Sequence, residues 1–387
     1  MIPGPHPLMA IVGVLTLGIA TLYSALTFIA VAAWRLHRGA PPRAELPPVT
    51  VLKPLCGAEP GLYENLRSFC EQDYPSFQIV FGLRDRGDPA LPVAERLRTQ
   101  FPSRRIDIVV NPQLHGGNRK ISNLVNMLER ADHELLVMAD SDAIVGRDYL
   151  KVVTAPLQDP TVGLVTCVYR DLPTAEVWSR LGAMYINEWY IPSVLLAWLF
   201  GHEGYASGQT LCIRREKLQA IGSLRAIANH LADDYKLGEL VRAQGGRIVL
   251  SHYLLRTEHD ERSFAGLQRH EVRWMRTLKV LRPRSFRLLF LSFSLPLALV
   301  GSALLSVAAA PPALAGGGLL SVVAGRLALH LTGRAGNNRG LLGDLWLVPV
   351  RDLLLLWVWL QGFFTSRLTW RGTEFDVGAD GIMRKPT

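Results

Sequence analysis

From Leu8 to Trp34 the chain carries no Asp, Glu, Lys or Arg, a run longer than the ~20 residues that cross a bilayer. This predicts a membrane-spanning helix. The segment lacks a basic leader and ends in Arg35, His37 and Arg38 rather than a small-residue cleavage site, so it reads as an uncleaved anchor and not a secretory signal. A second uncharged run, Leu288 to Gly325, is interrupted by Pro311 and Pro312. It predicts a helical hairpin over 288–310 and 313–332, with Arg326 inside the second arm. A further apolar segment, Leu345 to Thr365, holds adjacent Arg351 and Asp352. Charges are costly in hydrocarbon, so this is either a span with a paired functional charge or a helix lying in the interface.

Between these blocks the pattern changes. Residues 45–250 alternate short β-branched runs with helical patterns. Strands are predicted at Val49–Leu52, Gln78–Leu83, Ile106–Val110, Leu135–Ala139 and Val162–Val168, with helices over Gly61–Glu71, Pro92–Phe101 and Ser122–Arg130. Strands separated by crossover helices give a mainly parallel α/β sheet, with ligands held at the strand C-terminal ends. Neither GxGxxG nor GxxxxGK[ST] occurs, so no dinucleotide fingerprint or P-loop is indicated.

Composition agrees with a chain partly in lipid. Of 387 residues 49% are hydrophobic and only 19% charged, below the roughly 25% of soluble domains, which excludes disorder and a wholly soluble protein. The net charge is +9, from 42 Lys and Arg against 33 Asp and Glu. Arg35, Arg38 and Arg43 follow the first span, and Arg269, Arg273, Arg276, Lys279, Arg282, Arg284 and Arg287 precede the second block. By the positive-inside rule the region between them, about residues 45–285, faces the cytoplasm. Basic residues placed there suit anionic headgroups or an anionic substrate and argue against nucleic acid as a partner. Cys56, Cys70, Cys167 and Cys212 show no CxxC spacing, which excludes an obvious zinc site and fits a reducing compartment.

The candidate chemistry follows the strands. Leu135–Ala139 runs into Asp140-Ser141-Asp142. Two carboxylates one residue apart on extended chain point the same way, and such an oxygen pair suits Mg2+ or Mn2+ holding a diphosphate; the alternative is a solvated turn. Asp88 lies after the second strand, and His115-Gly116-Gly117-Asn118-Arg119-Lys120 after the third joins flexible backbone to cations. Asp233-Asp234 offers a second carboxylate pair or a helix N-terminus. His270-Glu271-Val272-Arg273-Trp274 opens the basic stretch, where an interfacial helix is the plain alternative. The aromatic segment Trp178–Phe200, including Trp189, is suited to docking an amphipathic lipid at headgroup depth, or to a buried core helix. Ala206-Ser207-Gly208-Gln209 follows it and is a candidate lining for a sugar or acceptor pocket.

In this order the motifs resemble the membrane-bound inverting glycosyltransferases of GT-A fold, the large family that includes cellulose and hyaluronan synthases. The chain is most similar to the ceramide glucosyltransferase group. The resemblance rests on Lys53-Pro54-Leu55 with Gly57, Asp73-Tyr74-Pro75, Asp88-Pro89, Lys120-Ile121-Ser122-Asn123-Leu124, Asp140-Ser141-Asp142, Asp233-Asp234-Tyr235 and Arg273-Trp274. The stretches Gly61–Pro75 and Val162–Arg170 look most like the bacterial hopanoid-associated branch, understood to use UDP-N-acetylglucosamine.

The resemblance implies a Rossmann-like, mainly parallel cytoplasmic domain over 45–267, an anchor over 1–44, a basic interfacial helix over 268–287 and a C-terminal membrane block over 288–387. It implies a multi-pass protein of the bacterial inner membrane. On the donor side it places Lys53, Asp88 near the uridine, Lys120 near the diphosphate, Asp140 and Asp142 with the divalent cation, and Arg273 and Trp274. Asp234 matches the catalytic base. Trp189, Ser207, Gly208 and His270 fall to the acceptor, and His270 stands where the family has Gln or Arg. The partners implied are a UDP-sugar, a hydroxyl lipid such as a hopanoid or ceramide, and the bilayer.

Three other readings compete. A haloacid-dehalogenase phosphatase would carry its DxD after the first strand, whereas here at least three strands precede it. A processive polysaccharide synthase needs more spans for an export channel. A non-catalytic scaffold on anionic lipid would bind no UDP-sugar.

Overall fold

The computed structural model describes residues 7–37, 39, 45–202, 204, 206–333, 342–364, 367–370, 373–378 and 380–384. Arg38 and Arg43 of the first basic cluster lie outside them. The chain divides into an α/β unit (37–174, 201–260 and 369–387) and a helical unit (1–36, 175–200 and 261–368).

The α/β unit is built on seven strands: β1 (Val49–Pro54), β2 (Phe77–Leu83), β3 (Arg105–Val110), β4 (Leu135–Met138), β5 (Val162–Asp171), β6 (Leu211–Arg214) and β7 (Arg247–Thr257). Their order is β3-β2-β1-β4-β6-β5-β7. Strands β1 to β4 are mutually parallel, β6 is antiparallel to both β4 and β5, and β7 is parallel to β5. The mainly parallel sheet is as expected from the sequence, while β6 and β7 are additional to it. Every residue of β2 and β4 is buried, as in strands covered on both faces, which is why they read as apolar runs broken only by Gln78. Leu52, Val80, Leu124, Met138, Leu211, Ile213 and Leu237 share one core beneath the helices.

Strand β6 decides where the site forms. Leu211 pairs with Met138, so the residues just before β6 arrive where β4 ends. Thr166 of β5 also pairs with Leu211, and β5 and β7 run on from there to Asp171 and Thr257. One end of the strands therefore collects Asp140–Asp142, Ser207–Thr210, Asp171 and the residues after β7.

In the helical unit, two helices among the described residues are long and apolar enough to cross a membrane, Pro7–Leu36 and Pro312–Thr332. The expected arm over 288–310 is not one straight helix: Pro283–Ser292 and Ser294–Val307 meet at 65°. The backbone leaves helical geometry at Phe293, and Pro296, which has no N–H to donate, sits in the first turn of the following helix where that loss is tolerated. The helix Leu347–Gln361 carries Arg351 and Asp352, both buried. They do not pair with each other. Arg351 grips Glu271 with two bonds, of 2.6 and 2.9 Å, and Asp352 accepts 2.8 and 2.7 Å bonds from Arg326. Glu188, on the wide turn Ile186–Tyr190, bonds His330 at 2.6 Å and lies 3.5 Å from Arg326.

Candidate active site

Lys120 is on the first turn of the helix Arg119–Leu128, whose N-terminus Asn118 caps by accepting from the Ile121 N–H at 3.1 Å. Its ammonium meets Asp140 Oδ1 at 2.6 Å and lies 3.5 Å from Asp233 Oδ2. Asp233 and Asp234 form the first turn of the helix Asp233–Ala243, where the helix dipole favours carboxylates. Asp233 also accepts from Asn118 Nδ2 at 3.2 Å. Asp234 Oδ2 accepts the Gly208 N–H at 2.9 Å and Oδ1 the Tyr235 N–H at 2.7 Å.

Gly208 lies at the centre of this group. A Cβ there would stand 2.8 Å from Lys120 Nζ, 3.3 Å from Asp140 Oδ2 and 3.6 Å from Asp234 Oδ2. Only glycine leaves these three side chains their present positions. Ser207 is buried beside it and fixed to β5, its N–H donating to Thr166 Oγ1 at 2.9 Å.

The carboxylate pair behaves as a ligand set in part. Asp142 Oδ2 accepts from Gln209 Nε2 at 3.3 Å and lies 3.6 Å from His259 Nε2, whose Nδ1 is 2.8 Å from Asp171 Oδ1. Asp142 Oδ1 is buried with no hydrogen-bond partner among the described residues. An unpartnered carboxylate oxygen beside a second carboxylate suits a hard divalent cation whose remaining ligands come from phosphate or water. Among the described residues no three His, Cys, Asp or Glu side chains already converge as a metal set. His259 carries no local signal because the last strand predicted from the sequence ends at Val168, far upstream; it follows directly on β7, which brings it to Asp142 and Asp171.

Burial tunes the ionisable groups. Desolvation, with repulsion from Asp233, pushes the Asp234 carboxyl up to about 6, against the pull of Lys120 and its two N–H donors. Asp140 is raised by burial and by Asp142. Burial alone would lower Lys120, but Asp140, Asp233 and Asp234 outweigh it and hold the ammonium firmly protonated. Lys53, wholly buried, is pulled down to about 7 by desolvation. Its ammonium sits 3.7 Å above the Phe69 ring and donates to the Asp140 carbonyl, so it fixes the backbone of the DxD turn.

The remaining expected residues have their own partners. Asp88 bridges two loops, accepting from the Gly57 N–H at 2.9 Å and the Ala90 N–H at 2.9 Å. Trp189, His270, Arg273 and Trp274 belong to the helical unit. There His270 Nδ1 is 2.9 Å from Glu261 Oε1 and its ring lies 4.2 Å from that of Trp274. Trp274 continues to Tyr185 at 5.2 Å and Tyr185 to Trp189 at 5.0 Å, an aromatic row that spans three helical segments. Arg273 is half-buried on the same helix, Phe264–Leu281.

Comparison with known proteins places this arrangement. The model of a family described as Glycosyl transferase family 21 matches residues 14–383. Ceramide glucosyltransferase 1 of Caenorhabditis elegans is 24% identical over 248 residues, 63% of this chain and 52% of that protein. The ceramide glucosyltransferase of Komagataella phaffii is 32% identical over 109 residues, 27% of this chain and 21% of that one. The chain thus spans about half the length of the Caenorhabditis relative, or less of the other. Among solved structures, mannosyltransferase PcManGT from Pyrobaculum calidifontis, in complex with GDP-Man and Mn2+, aligns over 90% of this chain and 98% of its own at 18% identity and a TM-score of 0.49.

Proposed function

The chain belongs to glycosyl transferase family 21, and from that premise we propose that it transfers a sugar from a UDP-sugar to a hydroxyl of a membrane lipid, with inversion. The preferred donor is UDP-N-acetylglucosamine and the preferred acceptor a hopanoid of the bacteriohopanetetrol type. The observation that carries the reading is the packing of Lys120, Asp140, Asp233 and Asp234 around Gly208 where β4 ends and β6 begins. A permanently charged ammonium and a carboxyl tuned towards neutrality, held in one cluster, are what diphosphate departure and hydroxyl deprotonation require.

In this mechanism Lys120 stabilises negative charge as the UDP leaves. Asp234, with two N–H donors fixing its oxygens, takes the proton of the attacking lipid hydroxyl. Its raised pKa makes it a stronger base than an ordinary carboxylate while leaving it ionised at neutral pH. Asp140 and Asp142, with His259 close by, are the residues that would hold Mg2+ or Mn2+, the bound cation supplying charge neutralisation to the diphosphate. Lys53 acts on the donor side through the DxD backbone. Asp88 is assigned to the uridine, Arg273 and Trp274 to the donor, and Trp189, Ser207, Gly208 and His270 to the acceptor. The α/β unit faces the cytoplasm of a bacterial inner membrane, with the anchor, interfacial helix and C-terminal block bounded as in the sequence reading.

A second reading is favoured by one specific finding: the relatives described above are named ceramide glucosyltransferases. On that reading the donor is UDP-glucose and the acceptor ceramide. Purified protein offered both UDP-sugars and both lipids, with products identified by mass spectrometry and anomeric configuration by NMR, separates the two. A product from neither lipid, and no thermal shift with UDP and Mn2+, would leave the membrane scaffold as the surviving account.

A further inference from the structure

The segment that follows the helical unit returns to the α/β unit and ends beside the site. The strand Thr373–Val377 pairs antiparallel with Met383–Arg384. The loop 229–231 then adds to the returning chain: the Met383 N–H donates to the Asn229 carbonyl at 2.8 Å, the Leu231 N–H donates to the Gly381 carbonyl at 3.0 Å, and His230 and Ile382 form an antiparallel bridge.

That loop in turn holds the glycine-rich one. Asn229 Oδ1 accepts the Gly117 N–H at 2.8 Å, and the Asn118 N–H donates to the Ala228 carbonyl at 2.8 Å. Asn118 Nδ2 donates to the His230 carbonyl at 2.9 Å and to Asp233 Oδ1 at 3.2 Å. Gly117 itself lies against Met383, whose Cβ and carbonyl oxygen are both 3.5 Å from where a glycine Cβ would stand. Two residues beyond Asn118 is Lys120; two and three beyond Leu231 are Asp233 and Asp234.

We propose that the C-terminal hairpin is a strap that positions both loops, with the Met383 main-chain N–H as its principal contact, so that Lys120 and the Asp233–Asp234 pair keep their mutual geometry during transfer. The proposal rests on the transferase reading. It follows from what each loop lacks: 229–231 is an irregular segment whose main-chain pairing at Asn229 and Leu231 is supplied by the hairpin. Placement errors of about 1 Å at reacting groups cost on the order of 100-fold in rate, so loosening this pairing is felt at the chemistry without any hairpin side chain touching substrate.

Met383→Pro in the full chain removes the donor. We expect faster amide exchange at Gly117 and Asn118, at least a tenfold fall in kcat, acceptor KM within threefold of wild type and an unchanged melting midpoint. Met383→Leu, which keeps the N–H and an apolar side chain, rescues all of these. If the proline variant does not fold, Leu231→Pro, which removes the other main-chain donor to the hairpin, the N–H accepted by the Gly381 carbonyl, takes its place with the same expectations. Unchanged exchange at Gly117 and Asn118, or kcat within twofold of wild type, overturns the strap. Should wild type transfer no sugar, the transferase reading fails, and the exchange measurement alone decides for or against the strap.

Discussion

Replacing Gly208 by alanine tests the central geometry with a single methyl group. Its backbone lies outside the left-handed region that would itself disfavour a side chain, so the effect is confined to what the methyl meets. The new Cβ would be 2.8 Å from Lys120 Nζ, against an ordinary contact of 3.4 Å or more, so the ammonium must retreat by roughly 0.6 Å. Lys120 has little room, being held at 2.6 Å by Asp140 and 3.5 Å by Asp233. A charge-assisted bond of this kind contributes about 1.5–3 kcal/mol, which at 1.36 kcal/mol per decade is about 10- to 150-fold in rate if it acts in the transition state. Initial rates with UDP-sugar and lipid acceptor should show that loss in kcat/KM. The melting midpoint should move little, because what the methyl displaces is the flexible end of Lys120 and not packed backbone. A Gly208→Ala variant within twofold of wild type would refute the claim that Lys120, Asp140 and Asp234 work as one close-packed unit.

Other expectations follow from the same coordinates. Asp234→Asn abolishes transfer while leaving UDP binding and folding intact; measurable turnover removes Asp234 from the base role. Because the base must be ionised and its pKa is raised to about 6, activity falls as pH drops through 6, to about a tenth at pH 5, and is level above 7; a flat profile from pH 5 to 8 contradicts this. Exhaustive chelation by EDTA removes activity and Mn2+ restores it, whereas Asp142→Asn weakens the Mn2+-dependent thermal shift with UDP; full activity after chelation argues against a cation at Asp140 and Asp142. In the helical unit, Arg351→Leu leaves the fully enclosed Glu271 unpaired and costs about 3–5 kcal/mol, read as a lowered melting midpoint that Glu271→Leu in the same chain recovers.

The residues that were legible in the sequence are those whose signal is local. Strand β4 announces itself as an unbroken apolar run and β1, β2, β3 and β5 as short runs mainly of β-branched and other apolar residues, and Asp140-Ser141-Asp142 is conspicuous because it follows β4. Strand β6 is a short run, Leu211–Arg214, that follows directly on polar residues, and β7 mixes exposed and buried positions with a register shift after Ser251, opposite Cys167 of β5, so neither gives a clean period. What those strands deliver was therefore hidden: Gly208 as the hub, and His259 facing Asp142. Asn118 was visible only as part of a flexible loop, since its two cross-links to His230 and Asp233 span 112 and 115 residues. At 345–365 the partners of the two adjacent charges lie outside any local window. Arg351 finds Glu271 80 residues away and Asp352 finds Arg326 26 residues away.

Those two pairs also bear on how the protein comes to be assembled. Neighbouring residues on an α-helix point about 100° apart, so Arg351 and Asp352 tie Leu347–Gln361 to its surroundings in two directions at once. A rotation by one residue would exchange the partners and bring like charges together. Without this helix Glu271 loses both bonds to Arg351, and Arg326 keeps Glu188, 3.5 Å away, but loses Asp352. The last helix among the described residues of the unit thus closes two buried ion pairs at once: a chain interrupted before residue 347 retains Lys120, Asp140, Asp233 and Asp234, yet leaves Glu271 without its guanidinium and Arg326 with one carboxylate in place of two.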